Sequence, residues 1–268
     1  MVYQEKCLDH FILLLDIAPR KNSIPKNYYE VKKVVSSLGL KSVKIDCCQG
    51  GCMLYYKNDS ELTECKFCGL PRYIPAKGQN KRYKKVLVKR MLYLPIIPRL
   101  QRLYASMDSV RQMKWHHENK RDDGLLQHSS DGKAWKHFDN VYPDFAADPQ
   151  HIRVGLCSDG FTPYVQALAS PYSCWSVFLT RYNLPPEMCM TKPYMFLTCL
   201  IPGSTNPTKK IDVYLQPLID DLQLLWNEGV FTYDISTKEN FVMRACLMWT
   251  INDFPAYGML SGWKLRAN

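Results

Sequence analysis

From Ile152 to Ser158 the chain reads Ile-Arg-Val-Gly-Leu-Cys-Ser, a short apolar block bounded by Asp159-Gly160, which predicts a buried strand. Two more strands are expected. Cys174–Thr180 places Trp175, Val177 and Leu179 in alternation, and Met195–Ile201 is almost wholly apolar and closed by Pro202-Gly203. The links between them carry Thr162-Pro163, Ser170-Pro171 and Asn183-Leu184-Pro185-Pro186, residues that favour turns. Asp212–Glu228 then reads as a helix: Leu215, Leu218, Ile219, Leu222, Leu225 and Trp226 share a face, and Gly229 supplies the stop. A fourth apolar strand, Phe241–Thr250, leads into Asn252-Asp253-Phe254-Pro255.

Three antiparallel-type strands, a helix and a fourth strand describe the opening of an RNase H-like fold. In that arrangement the first and fourth strands are neighbours, so Asp159 and Asp253 come together. Two strands that each deliver a carboxylate at one edge are what a divalent-metal site for phosphoryl transfer needs. Asp-Gly and Asn-Asp-x-Pro are equally ordinary turn chemistry, so both readings stand at this point.

Upstream, Tyr28–Leu38 has roughly helical spacing with Gly39 as a stop, and Ser42–Ile45 is extended. Pro95-Ile96-Ile97-Pro98 cannot be continuous helix, whereas Arg99–His117 carries an apolar stripe of Leu100, Leu103, Met107, Val110, Met113 and Trp115. Lys133–Phe138 and Tyr142–Phe145 read as an aromatic connector. The expected organisation is a tail over 1–23, a cysteine-bearing unit over 24–76, a basic and helical connector over 77–150, and an α/β (α+β) domain over 151–268.

Cysteine spacing sharpens the second unit. Cys48-x3-Cys52 and Cys65-x2-Cys68, twelve residues apart, suit a closed tetrahedral zinc site in a zinc-ribbon-like fold. Cys47 is adjacent and could replace Cys48, and a set of buried free thiols is the bland alternative. With no basic leader before the apolar run Phe11–Leu15, no secretory signal is expected, so the eleven cysteines read as thiols or metal ligands. His116, His117, His128 and His137 show no ligand spacing.

Charge divides the chain unevenly. Residues 1–150 hold 26 Lys and Arg against 16 Asp and Glu, while residues 151–268 hold nine of each. Nine basic residues and no acidic one fall between Lys77 and Arg102. A polyanion partner follows, with Lys81, Arg82, Lys84, Lys85, Lys89, Arg90, Arg99 and Arg102 as the candidate nucleic-acid contacts. A nuclear-localisation segment and a solvated basic face would look similar. No apolar run approaches the length of a membrane span.

Beyond spacing, ordered motifs resemble one family, the transposases of plant CACTA (En/Spm-type) DNA transposons. They are Gly155-Leu156-Cys157-Ser158-Asp159-Gly160-Phe161, Ser170-Pro171-Tyr172-Ser173-Cys174-Trp175, Tyr182-Asn183-Leu184-Pro185-Pro186, Leu200-Ile201-Pro202-Gly203, Ile211–Leu218, Trp249–Gly258 and Leu260-Ser261-Gly262-Trp263. The cysteine knuckles, Pro98–Leu103 and Ala134–Asp139 match the same family, so the resemblance covers roughly residues 24–263.

The resemblance implies a DDE-type nuclease and strand transferase on an RNase H-like fold, with Asp159 and Asp253 as the first two acids holding catalytic Mg²⁺. It implies structural zinc, DNA partners at transposon ends, association with itself or a full-length transposase, no membrane, and a nuclear location. The family continues past Leu-Ser-Gly-Trp into a further cysteine- and histidine-bearing segment and a helix with a third acid. Here fifteen residues follow Asp253, none of them Asp or Glu, and Glu228 and Glu239 precede it. The expectation is therefore a transposon-derived, DNA-binding and catalytically incomplete chain with a partial RNase H-like fold. The alternatives are an active nuclease whose third acid comes from elsewhere and a non-catalytic interaction module.

Overall fold

The computed structural model describes residues 29–30, 33, 41–75, 85–121, 124–161, 174–191, 194–203, 207 and 210–261. The chain divides into Met1–Lys41 and Ser42–Asn268. In the first unit Tyr29, Glu30 and Lys33 are helical, and the rest of the helix expected over Tyr28–Leu38 lies outside the described residues.

The second unit is a mixed α+β fold built on one seven-stranded sheet. Its strands are β1 (Val43–Cys47), β2 (Leu54–Tyr55), β3 (Arg90–Tyr93), β4 (Ile152–Phe161), β5 (Cys174–Arg181), β6 (Phe196–Ile201) and, after a separate hairpin of β7 (Val230–Asp234) and β8 (Glu239–Met243), β9 (Ala245–Thr250). Their order is β2-β1-β3-β6-β5-β4-β9. Every neighbouring pair is antiparallel except β4 and β9. A parallel pair cannot be joined by a tight turn. Here the crossover from β6 to β9 runs through a long helix and the β7–β8 hairpin.

Helices cover this sheet. They are α1 (Ile97–Tyr104), α2 (Met107–Met113), α3 (Trp115–Glu118), α4 (Lys133–Val141), α5 (Pro143–Ala146), α6 (Ile211–Asn227) and α7 (Phe254–Ser261). One core joins Ile45 and Met91 from β1 and β3, Val154 and Leu156 from β4, Val177 and Leu179 from β5, and Leu215, Leu218 and Leu225 from α6. The cysteine-bearing strands and the strands after Ile152 therefore share a hydrophobic centre. α6 ends where Gly229, at φ 73°, donates its amide to the Leu224 carbonyl at 2.9 Å, the left-handed C′ geometry that glycine adopts without a Cβ penalty.

Three expectations change. β4 does not stop before Asp159 but runs on to Phe161, and Gly160 serves space rather than a turn: a Cβ there would lie 2.7 Å from Cε2 of Trp175. The apolar run Phe241–Thr250 is two strands broken at Arg244, whose Nε and Nη2 donate to the Trp226 carbonyl at 3.1 and 2.8 Å. Phe241–Met243 belongs to the hairpin and Ala245–Thr250 to the main sheet. The stretch Arg99–His117 is three short helices, because Ser106 is extended at φ −127° and ψ 129° and Lys114 separates α2 from α3.

Arg153 anchors the helical layer on β4. Its side chain is 2% exposed, donates to Asp139 Oδ1 at 2.7 Å and lies 4.6 Å from the Trp135 ring centre. A charge so deeply buried needs a partner, and α4 supplies both the carboxylate and the aromatic face.

Candidate functional site

Two chemically distinct candidates emerge. The first is the cysteine knuckle on β1 and β2. Cys47 and Cys48 are neighbours at the end of β1, and residues in a strand alternate in direction. Cys47 enters the main core and donates from Sγ to the Ile45 carbonyl at 3.4 Å, while Cys48 enters a separate small cluster with Met53, Tyr55 and Cys65. Alternation thus selects Cys48 over Cys47.

Each cysteine pair sits on a turn that carries a left-handed glycine, three residues after Cys48 and four after Cys65. The Gly51 amide donates to the Cys48 carbonyl at 2.9 Å and the Gly69 amide to the Cys65 carbonyl at 2.8 Å, with φ of 69° and 70° at the glycines. The ligand atoms of Cys48, Cys52, Cys65 and Cys68 all lie within 4.8 Å of one another, and Cys48 and Cys68 Sγ are 3.5 Å apart. Thiolates at 2.3 Å from a tetrahedral zinc stand about 3.8 Å apart, so this four-sulfur donor set fits the ion. Burial pushes the Cys65 thiol up, but hydrogen bonds from the Phe67 and Cys68 amides outweigh it and bring Cys65 down to about 7. That favours the thiolate a metal requires.

The second candidate is the two acids, Asp159 and Asp253. β4 and β9 run side by side, Leu156 beside Thr250, and the Ile251 amide donates to the Leu156 carbonyl at 2.8 Å. One step further, the Ser158 amide donates to Asn252 Oδ1 at 2.8 Å. Asp159 follows Ser158 and Asp253 follows Asn252, and both acids are exposed. Asp253 also has a structural role: its Oδ1 accepts the Ala256 amide at 3.0 Å, and its carbonyl accepts the Tyr257 amide at 2.8 Å, which starts α7. Both carboxylates offer hard oxygen donors to solvent.

The basic candidates separate by environment. Lys81, Arg82 and Lys84 lie outside the described residues. Lys85 is exposed, 5.1 Å from the Tyr73 ring centre, and Arg102 is exposed on α1. Arg90, partly exposed, donates to the buried Asp46 at 2.8 Å, and Arg72 donates to the same carboxylate at 2.6 and 2.9 Å. Lys89 and Arg99 turn inward. Lys89 donates to the Tyr214 hydroxyl at 2.7 Å, and Arg99 donates to the Leu197 carbonyl at 2.6 Å over the Phe196 ring.

Among the described residues the knuckle cysteines form the metal-competent cluster, and no histidine joins it. His116 is buried beside Arg153, whose Nη1 is 3.2 Å from Nε2. Arginine can only donate, so Nε2 accepts and the imidazole carries its proton on Nδ1. Burial, then the Arg153 charge, press His116 down to about 3.

Sequence reasoning missed the hub around Asn183. Its Oδ1 accepts the Arg153 amide at 2.8 Å, its Nδ2 donates to the His151 carbonyl at 2.9 Å, and its own carbonyl accepts the His116 amide at 3.2 Å. A lone Arg inside the apolar block Ile152–Leu156 was the signal for a buried partner. Tyr182, beside Asn183, lies over Gly155, where a Cβ would come within 2.5 Å of its ring.

A family model described as "Transposase family tnp2" matches residues 123–268, which takes in α4–α7, β4–β9 and both acids of the pair. A search of the curated proteins gave no match.

Proposed function

The chain belongs to the tnp2 transposase family, and from that premise we propose a transposon-derived protein of the CACTA (En/Spm) group that acts on transposon ends by DDE-type chemistry. The observation that carries this reading is the parallel β4–β9 pairing, which sets Asp159 and Asp253 one residue beyond the Ser158–Asn252 bond. The order β6-β5-β4-β9 also follows the RNase H-like scheme of three antiparallel strands with a fourth returning beside the first.

In this reading Asp159 and Asp253 are the residues that would hold Mg²⁺. When bound, divalent ions make water or a 3′-hydroxyl a stronger nucleophile at neutral pH and stabilise the leaving oxygen. The protein's own part is positional. The Asn252 side chain locks the end of β9 to β4, and the cap on α7 commits one oxygen of Asp253. Residues 1–268 supply two acids, and the family resemblance puts a third on a helix beyond Leu260-Ser261-Gly262-Trp263. The zinc knuckle and the basic stretch around Lys81–Lys85 bind the DNA backbone in the nucleus, where the chain meets further copies of itself or a longer transposase. Among the described residues no helix is long and apolar enough to cross a membrane.

A structural role for Asp253 has its capping bond in its favour, and manganese binding separates the two readings. Mn²⁺, followed by electron paramagnetic resonance, should bind the wild type and be lost in Asp159→Asn and Asp253→Asn, since asparagine keeps the cap but not the charge. Mn²⁺ binding unchanged in the double variant would remove the acid pair from the mechanism.

A further inference from the structure

We propose that Lys210 is a positioning residue for the tetrathiolate centre: its ammonium holds the Cys52 thiolate and ties the first turn of α6 to the knuckle. The inference rests on the reading of Cys48, Cys52, Cys65 and Cys68 as a zinc site. Lys210 is the residue that precedes α6, and its Nζ donates to the Gly50 carbonyl at 2.6 Å and stands 3.7 Å from Cys52 Sγ. Both acceptors belong to the first knuckle turn.

The chemistry asks for such a cation. Four thiolates around one divalent ion carry a formal charge of two minus, and groups around a metal's ligands fix their orientation and tune the ion. Lys89 adds a second positive charge nearby. It is half-buried and donates to the Tyr214 hydroxyl at 2.7 Å. Tyr214, one turn into α6, closes the contact, since a Cβ at Gly51 would lie 2.9 Å from its hydroxyl. The N-terminal end of α6 carries partial positive charge of the same sense.

The link has a functional consequence. α6 lies in the crossover that delivers β9 and Asp253 beside β4. A knuckle held by metal therefore anchors the start of the segment that carries the second acid.

Cobalt(II) titrated into the full chain, followed by its thiolate charge-transfer band and by competition with a chelator, tests this. Lys210→Met should weaken binding by about 10–100-fold, the range for loss of a group supporting a metal ligand, and Lys210→Arg should recover most of it. Lys57→Met is the control, because it removes the 2.7 Å Lys57–Asp220 pair between the knuckle and α6 while leaving the Lys210–Cys52 contact in place. It should leave cobalt affinity near that of the wild type. Wild-type affinity in Lys210→Met, or equal losses in Lys210→Met and Lys57→Met, would overturn the assignment while leaving the metal site standing. No cobalt–thiolate band in the wild type would overturn the metal site and this assignment together. Should Lys210→Met fail to fold, Lys210→Gln, which keeps a neutral donor, takes its place under the same outcomes.

Discussion

The backbone amide of Ser158 donates to the side chain of Asn252 at 2.8 Å, across the parallel junction of β4 and β9. That bond fastens β4 to the segment leaving β9 immediately before Asp159 and Asp253. It also explains an Asn before the second acid in the motif Trp249–Gly258, because a side-chain carbonyl here replaces a ladder partner just past the end of β9. Asn252→Ala would leave a partly buried amide without its acceptor, at a cost of about 1–3 kcal/mol. Urea denaturation should show that loss, and Mn²⁺ binding should weaken with it. A variant as stable as the wild type, with unchanged metal binding, would make the bond incidental.

Gly160 and Trp175 form a second pair drawn from two motifs. A Cβ at Gly160 would meet Cε2, Cζ2 and Nε1 of Trp175 at 2.7, 2.8 and 3.0 Å, and the indole is buried. Gly160→Ala should therefore cost about 1–3 kcal/mol through overpacking. In a Trp175→Leu background the same change should cost clearly less, so a double-mutant cycle should give a coupling of opposite sign to the single losses. Additive costs would mean that the glycine is retained for another reason.

His116 gives a pH dependence with a definite sign. Its folded value, near 3, lies below the unfolded value of 6.5, so the unfolded chain binds the proton more readily. Stability is complete above pH 6.5 and falls as the pH drops from there toward 3. Between pH 7 and pH 5 this one group should remove roughly 2 kcal/mol. His116→Gln should flatten that part of the profile relative to the wild type, whatever its own cost at pH 7. Acid release of knuckle metal is common to both proteins and cancels in the comparison. Parallel profiles for the two would show that the imidazole is solvated in solution.

Much of this architecture could be read from the residues because it rests on local pattern. Alternation marked Cys174–Thr180, helical spacing and Gly229 marked α6 to within a residue, and paired spacing marked the four knuckle cysteines. What could not be read rests on contacts distant in sequence. Arg244 splits an apolar run because its guanidinium reaches Trp226, and Lys210 meets Cys52 across 158 residues. The one-helix reading of Arg99–His117 failed for a local reason: an amphipathic stripe survives a break at Ser106, because Val110 and Met113 remain buried on the shorter α2. The parallel junction of β4 with β9 was expected from element order alone, yet its register depends on a bulge between Val154 and Gly155 that no periodicity announces.

The basic stretch yields the sharpest division of labour. Lys89 and Arg99 spend their donors on Tyr214 and on the Leu197 carbonyl, so they support the fold, whereas Lys85 is exposed. DNA affinity measured against salt concentration separates the two roles, since each phosphate contact contributes about 0.9 to the slope of log K against log salt. Changing Lys81, Arg82, Lys84 and Lys85 together to Gln should lower the slope by about 0.9 for each contact removed and leave the thermal midpoint nearly unchanged. Arg99→Gln should do the reverse, because it orphans a partly buried carbonyl and uncovers the Phe196 ring while removing no phosphate contact. A slope that falls equally in both proteins would return Arg99 to the DNA-contacting set. A slope that falls in neither would locate DNA binding away from this stretch, with the zinc knuckle the next surface to probe.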